Sequence, residues 1–138
     1  IMNFVEDHYR TLENKSSRAI AGLSMGGYHA ANISRFYPNT FDYMGLFSPA
    51  LHADLSAHPE AIAYQNPDQM LQKQLENGYQ LYWIRVGKDD FPALLAGIKS
   101  FKQNMDRLQM PCDYADTAGG HTWKNWREYL AEFVQLIF

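Results

Sequence analysis

A single cysteine, Cys112, stands in the 138 residues, so no disulfide can close within the chain. One thiol neither requires nor excludes export. Cationic runs are missing too: 12 Lys and Arg against 15 Asp and Glu give a formal net charge of −3, which argues against a nucleic-acid partner. No apolar stretch approaches the roughly 20 residues a membrane-spanning helix needs, because Gly, Pro or charge interrupts every run. His52 and His58 have no Cys, His or Asp neighbours at zinc-site spacing, so they read as loop histidines and no metal is expected. No signal peptide is visible from Ile1 onward, and composition assigns no compartment. No internal repeat, low-complexity tract or boundary divides the sequence. Its composition, 46% hydrophobic and 14% aromatic, is that of a globular chain large enough for one core, and residues 1–138 read as one unit.

The chain is organised around Arg18-Ala19-Ile20-Ala21-Gly22-Leu23-Ser24-Met25-Gly26-Gly27-Tyr28. A short apolar run enters a tight turn with a serine at its tip, and a segment with helical apolar spacing (Ala30, Ala31, Ile33, Phe36) leaves it and stops at Pro38. Gly22, Ser24 and Gly26 form the pattern G-x-S-x-G. It resembles the nucleophile elbow of α/β-hydrolases, a strained strand-to-helix turn that presents a serine hydroxyl. With the serine at positive φ, a Cβ two residues before or after it is expected to meet backbone across the turn.

The remaining elements alternate. Ile1 to Tyr9 carries apolar residues at helical spacing and is expected to lie beside the elbow strand. Phe41 to Ser48 reads as a strand closed by Pro49. Ala50 to Asp68 loses its period and reads as a long loop of the kind that borders a substrate cleft. Gln69 to Glu76 is a short helix ended by Asn77-Gly78. Tyr79 to Val86 is the clearest strand, rich in aromatic and β-branched residues. Pro92 opens a helix running to about Leu108, Cys112 to Thr117 is a weaker strand, and the segment from Thr122 has one apolar face made by Trp123, Trp126, Leu130, Phe133, Val134 and Ile137. This order predicts an α/β fold, a parallel sheet with helices on both faces.

Ligands of such sheets sit beyond the carboxyl ends of the strands. Three polar groups fall there: Ser24, the pair Asp89 and Asp90, and His121 after Gly119-Gly120. A serine hydroxyl is a weak nucleophile and needs a base, a task imidazole suits at neutral pH. A carboxylate on the far ring nitrogen fixes the tautomer and stabilises the imidazolium. Either aspartate can serve, or can cap the helix that follows. The backbone N–H of Met25, at a helix start directly after the serine, is a candidate oxyanion donor. Trp126 has the spacing of a core residue, whereas Trp123, two residues from His121, is a candidate substrate contact.

RAIAGLSMGG (Arg18–Gly27), FDYMGLFS (Phe41–Ser48), VGKDDF (Val86–Phe91) and GGHTWKNWREYL (Gly119–Leu130) together resemble the esterase branch of α/β-hydrolases. That branch contains feruloyl and acetylxylan esterases (carbohydrate esterase family 1), S-formylglutathione hydrolases, enterochelin esterases and mycolyltransferases. The resemblance covers essentially the whole chain, as the carboxyl-terminal half of the domain. It implies Ser24 as nucleophile, His121 as base and Asp90, the last position of a G-x-x-D turn, as acid, with Asp89 as the fallback. The Gly-Gly-His-Thr-Trp run is most similar to feruloyl or acetylxylan esterases of polysaccharide-degrading bacteria, which are often exported. A secreted or periplasmic serine carboxylesterase acting on acyl or feruloyl esters of plant-wall polysaccharides follows, with no metal or organic cofactor. Other implied activities are hydrolysis of a different ester or thioester, or acyl transfer. The pattern also places several strands and an oxyanion-hole loop before the elbow. They are expected in a preceding segment or on a partner chain, and without them these residues would serve as an interaction module.

Overall fold

The computed structural model describes residues 1–51 and 66–138; most of the expected loop between Ala50 and Asp68, with His52 and His58, lies outside the described residues. The elements are α1 (Met2–His8), a 3₁₀ turn (Lys15–Ser17), β1 (Ala19–Leu23), α2 (Met25–Phe36), β2 (Tyr43–Phe47), α3 (Pro67–Asn77), β3 (Leu81–Gly87), α4 (Pro92–Arg107), β4 (Asp113–Thr117) and α5 (Trp123–Ile137). The four strands form one sheet in the order β1-β2-β3-β4, with every pair parallel and in register from Ala19 opposite Tyr43 to Gly87 opposite Thr117. Strand–helix alternation therefore produced the α/β architecture expected of it. Helix α3 begins earlier than its spacing suggests, because Pro67 occupies its first turn, where a missing N–H costs nothing.

Side chains of a strand alternate between faces, and the two faces carry separate cores. Met44, Leu46, Tyr82, Ile84 and Val86 meet Ala30 and Ala31 of α2, Leu71 of α3 and Ile98, Phe101 and Met105 of α4. On the other side Phe47 and Trp83 meet Tyr129 and Phe133 of α5. Helices thus cover both faces. Phe133 is seated against Gly45, where an added Cβ would come within 3.0 Å of its ring.

Two elements depart from expectation. In α5 the buried side chains are Asn125, Tyr129 and Phe133, while Trp123, Leu130 and Val134 of the anticipated apolar face are exposed. The reason lies in the sheet: β1 pairs with β2 alone among the described residues, so nothing there lies beyond β1 to receive that stripe. Helix α1 forms as expected but buries no residue. It is tied to the residue preceding β1 by an ion pair between Glu6 and Arg18 at 2.6 Å, and an open cavity of about 630 Å³ lies among Met2, Val5, Ala19, Tyr43 and Ile137.

Candidate active site

Each candidate side chain stands at the carboxyl end of a parallel strand. Ser24 links β1 to α2 at φ 52°, ψ −119°, a left-handed conformation that a non-glycine residue adopts only when its surroundings compel it. They do so here through the main chain: the Ser24 N–H donates to Phe47 O (2.9 Å), and Ser24 O accepts from the N–H groups of Tyr28 (3.2 Å) and Ala50 (2.8 Å). Gly22 gives the room. A Cβ on it would lie 2.2 Å from Gly26 O, whereas one on Gly26 would meet nothing within 4 Å. The expected clash is therefore real at Gly22 and absent at Gly26, because the tight approach is from the strand side onto the helix backbone and Gly26 faces outward.

Asp90 and His121 come from two turns bonded side by side. After β3, Lys88 N–H donates to Thr117 O and Asp89 N–H to Gly119 O, both at 2.9 Å, and Asp90 N–H closes the turn on Gly87 O at 3.1 Å. The Asp90 side chain is fully buried and the His121 side chain 16% exposed. His121 Nδ1 lies 2.9 Å from Asp90 Oδ1 and 3.2 Å from Oδ2, and its Nε2 lies 2.9 Å from Ser24 Oγ. An ionised carboxylate only accepts, so Nδ1 carries the proton and donates it to Asp90. That leaves Nε2 as acceptor for the Ser24 hydroxyl. Asp90 Oδ1 also accepts the Phe91 N–H at 2.8 Å, so orienting the imidazole and steadying the start of α4 are joined in one side chain. Asp89 is exposed. The structure brings together Ser24, Asp90 and His121 and leaves Asp89 aside.

Met25 opens α2, where the first N–H groups have no intrahelical acceptor; its backbone amide follows the serine at the positive end of the helix dipole. Trp123 is 66% exposed and stands edge-on to Trp126 at 5.2 Å. With Leu23, Phe47, Trp126 and Leu130 it borders a small apolar pocket of about 150 Å³ beside the elbow strand. Trp126 is half-buried against the Phe47–Trp83 core and is also in edge contact with the His121 ring at 4.8 Å. Among the described residues no three His, Cys, Asp or Glu side chains gather as metal ligands, and no helix is long and apolar enough to cross a membrane.

One supporting residue escaped the pattern reading. Asn125 is 4% exposed, and its side-chain amide donates to Ala118 O at 2.7 Å, Tyr129 Oη at 3.0 Å and Thr117 Oγ1 at 3.3 Å. The Thr122 hydroxyl donates to its Oδ1 at 2.9 Å. Asn125 thereby pins the turn that carries His121. The signal for it was an amide between Trp123 and Trp126 in an otherwise apolar helical face.

A family model described as "Putative esterase" matches residues 1–137. The chain belongs to this esterase family. Among solved structures, a ferulic acid esterase is 26% identical with a TM-score of 0.77, over 99% of this chain and 58% of that one. The fluorophosphonate-binding serine hydrolase FphF of Staphylococcus aureus is 20% identical with a TM-score of 0.79, over 99% and 60%. S-formylglutathione hydrolase FrmB of the same organism is 20% identical with a TM-score of 0.77, over 99% and 57%. The last two likenesses establish the fold. The chain thus spans less than two thirds of the length of each of these proteins.

Proposed function

We propose that this chain supplies the catalytic centre of a serine carboxylesterase acting on acyl or feruloyl esters of plant cell-wall polysaccharides. The observation that carries the reading is the unbroken relay from Asp90 through His121 to Ser24 at hydrogen-bond distance. Ser24 Oγ attacks the ester carbonyl while its proton passes to His121 Nε2. The oxyanion of the tetrahedral intermediate accepts the Met25 N–H. Collapse breaks the bond to the alcohol, which leaves with the proton from His121, and an acyl-serine remains. Water then attacks the acyl carbon, gives a proton to His121, and releases the carboxylic acid as Ser24 takes that proton back. Asp90 stays ionised throughout and holds the imidazole by Nδ1. The exposed ring of Trp123 beside the pocket at the elbow strand favours an aromatic acyl group, as does the ferulic acid esterase likeness.

A fluorophosphonate probe should label Ser24, and Ser24→Ala should abolish labelling and lower kcat on methyl ferulate by about 10⁴-fold to 10⁶-fold. Wild-type turnover by that variant would refute the assignment. Comparison with acetylated xylan and an S-acyl glutathione tests the acyl group and leaving group.

A second reading concerns assembly. Among the described residues β1 pairs with β2 alone, and the exposed Leu130 of α5 lies beside β1, an apolar border that favours completion of the sheet by a preceding segment or a partner chain. Monomeric behaviour at high concentration, with full activity and no such segment, would overturn this reading.

A further inference from the structure

The His121 ring has two aromatic neighbours, and neither is a member of the relay. Phe91 lies 5.0 Å away, centroid to centroid, at an interplanar angle of 47°. Trp126 lies 4.8 Å away at 89°, itself backed by Trp123 at 5.2 Å and 82°. The two contacts differ in kind. Trp126 belongs to the core beneath the sheet end, so its packing explains its presence. Phe91 does not: it is 60% exposed, and an apolar ring left in water at the start of a helix stabilises little by its own burial. It is the N-cap residue of α4 and its carbonyl accepts the Leu95 N–H, but its side chain makes no cap bond, so capping does not call for a ring. Its contacts are instead with the relay at two points, since its N–H holds Asp90 Oδ1 at 2.8 Å while its ring covers the His121 imidazole.

We propose that Phe91 is a positioning residue for His121, a ring that packs on the imidazole and, together with Trp126, restricts it to the rotamer that reaches Ser24. This rests on the reading of Ser24, His121 and Asp90 as the catalytic relay. The physical case is rotational. Bonds to Asp90 and Ser24 fix two points on the imidazole, but an unwalled ring reached by water can exchange either bond for solvent and swing outward. An aromatic wall removes that alternative volume and keeps competing water from Nε2.

The experiment is kinetic, on the full chain with p-nitrophenyl acetate, an ester too small to need an aromatic subsite. Phe91→Ala keeps the N–H to Asp90 and removes only the ring. It should lower kcat by about tenfold, in line with the usual strength of a ring–ring contact, with KM within twofold and the melting temperature within a few degrees. Phe91→Tyr should restore kcat and Phe91→Leu should restore it only in part. A raised KM with unchanged kcat would make Phe91 a substrate contact and overturn the proposal. So would an equal kcat loss in Phe91→Ala and Phe91→Tyr, or no loss in either. Ser24→Ala, run alongside, separates the two levels: if it remains active the relay itself is wrong, and if it is inactive while Phe91→Ala is unimpaired, only the positioning role falls.

Discussion

Gly22 and Gly26 meet across the elbow, with the position a Gly22 Cβ would take only 2.2 Å from the Gly26 carbonyl oxygen and the reverse position open. The two glycines of G-x-S-x-G are therefore not equivalent in this chain. Gly22→Ala must push β1 away from α2 and should cost on the order of 3 kcal/mol, with loss of the serine geometry. Gly26→Ala, on the outer side of the first turn of α2, should keep the fold and gain up to about 1 kcal/mol from helix propensity. Urea unfolding of both variants decides it; equal losses would contradict the steric account.

Strain at Ser24 gives a second expectation. Its φ of 52° with ψ of −119° costs a side-chain-bearing residue about 1–3 kcal/mol. Glycine pays far less there. Ser24→Gly should thus be more stable than Ser24→Ala by about 1 kcal/mol, although both lack the hydroxyl. Coincident thermal midpoints for the two variants would show that the elbow stores no such strain.

The adjacent aspartates separate by burial. Asp90 carries the bond to His121 Nδ1 and Asp89 is exposed, so Asp90→Asn should lower kcat on the order of 10³-fold to 10⁴-fold by favouring the wrong imidazole tautomer. Asp89→Asn should change it less than twofold. A reversal of that ranking in steady-state assays would move the acid to Asp89.

How far the sequence reveals these features depends on how local their causes are. The elbow, the strand ends and the placing there of Ser24, the Asp89–Asp90 turn and His121 were legible because each follows from a short turn with demanding sterics placed after an apolar run. The choice between Asp89 and Asp90 was not legible from residue type; resemblance to relatives pointed to Asp90, and in the structure it depends on which side chain the turn from Gly87 aims inward. The buried face of α5 was misjudged because tryptophan and leucine spacing reports what a helix can bury, not what lies opposite. With β1 at the edge of the sheet among the described residues, Leu130 stays half-exposed beside the small pocket while Asn125 goes inside. Tertiary hydrogen bonding of one amide outweighed the apolar pattern around it.

Cys112 yields a prediction in pH. Burial pushes its thiol up from 9.0 to about 12, with the Asp113 and Asp106 carboxylates adding to the effect and the Lys102 and Arg85 cations opposing it. The thiolate is the reactive form, so iodoacetamide at pH 8.5 should modify the folded chain more than tenfold more slowly than the chain in urea. The sign for stability follows from proton linkage. Because the folded-state pKa is the higher one, this contribution is complete below pH 9 and drains away as pH rises from 9 towards 12. Cys112→Ala should flatten the fall of the urea midpoint across that window. An equally steep fall in the variant would assign the alkaline loss to other groups.

Asn125 sits beneath the turn that carries His121. Its side-chain amide reaches Ala118 O, Thr117 Oγ1 and Tyr129 Oη, and its Oδ1 stands 2.8 Å from where a Gly119 Cβ would project, so the amide fills the hollow beneath the histidine turn. Asn125→Ala leaves the buried Tyr129 Oη and the part-buried bonds to Thr117 Oγ1 and Ala118 O without this partner and should cost about 1–3 kcal/mol. If the amide only stabilises the fold, a variant that is still fully folded at the assay temperature will react with a fluorophosphonate as fast as the parent. If it also holds the turn in register, the folded variant should label Ser24 at least tenfold more slowly, because His121 Nε2 then spends less time within 2.9 Å of the hydroxyl. Circular dichroism on the same sample establishes the folded fraction, and the labelling rate then distinguishes the two cases without reference to any particular ester.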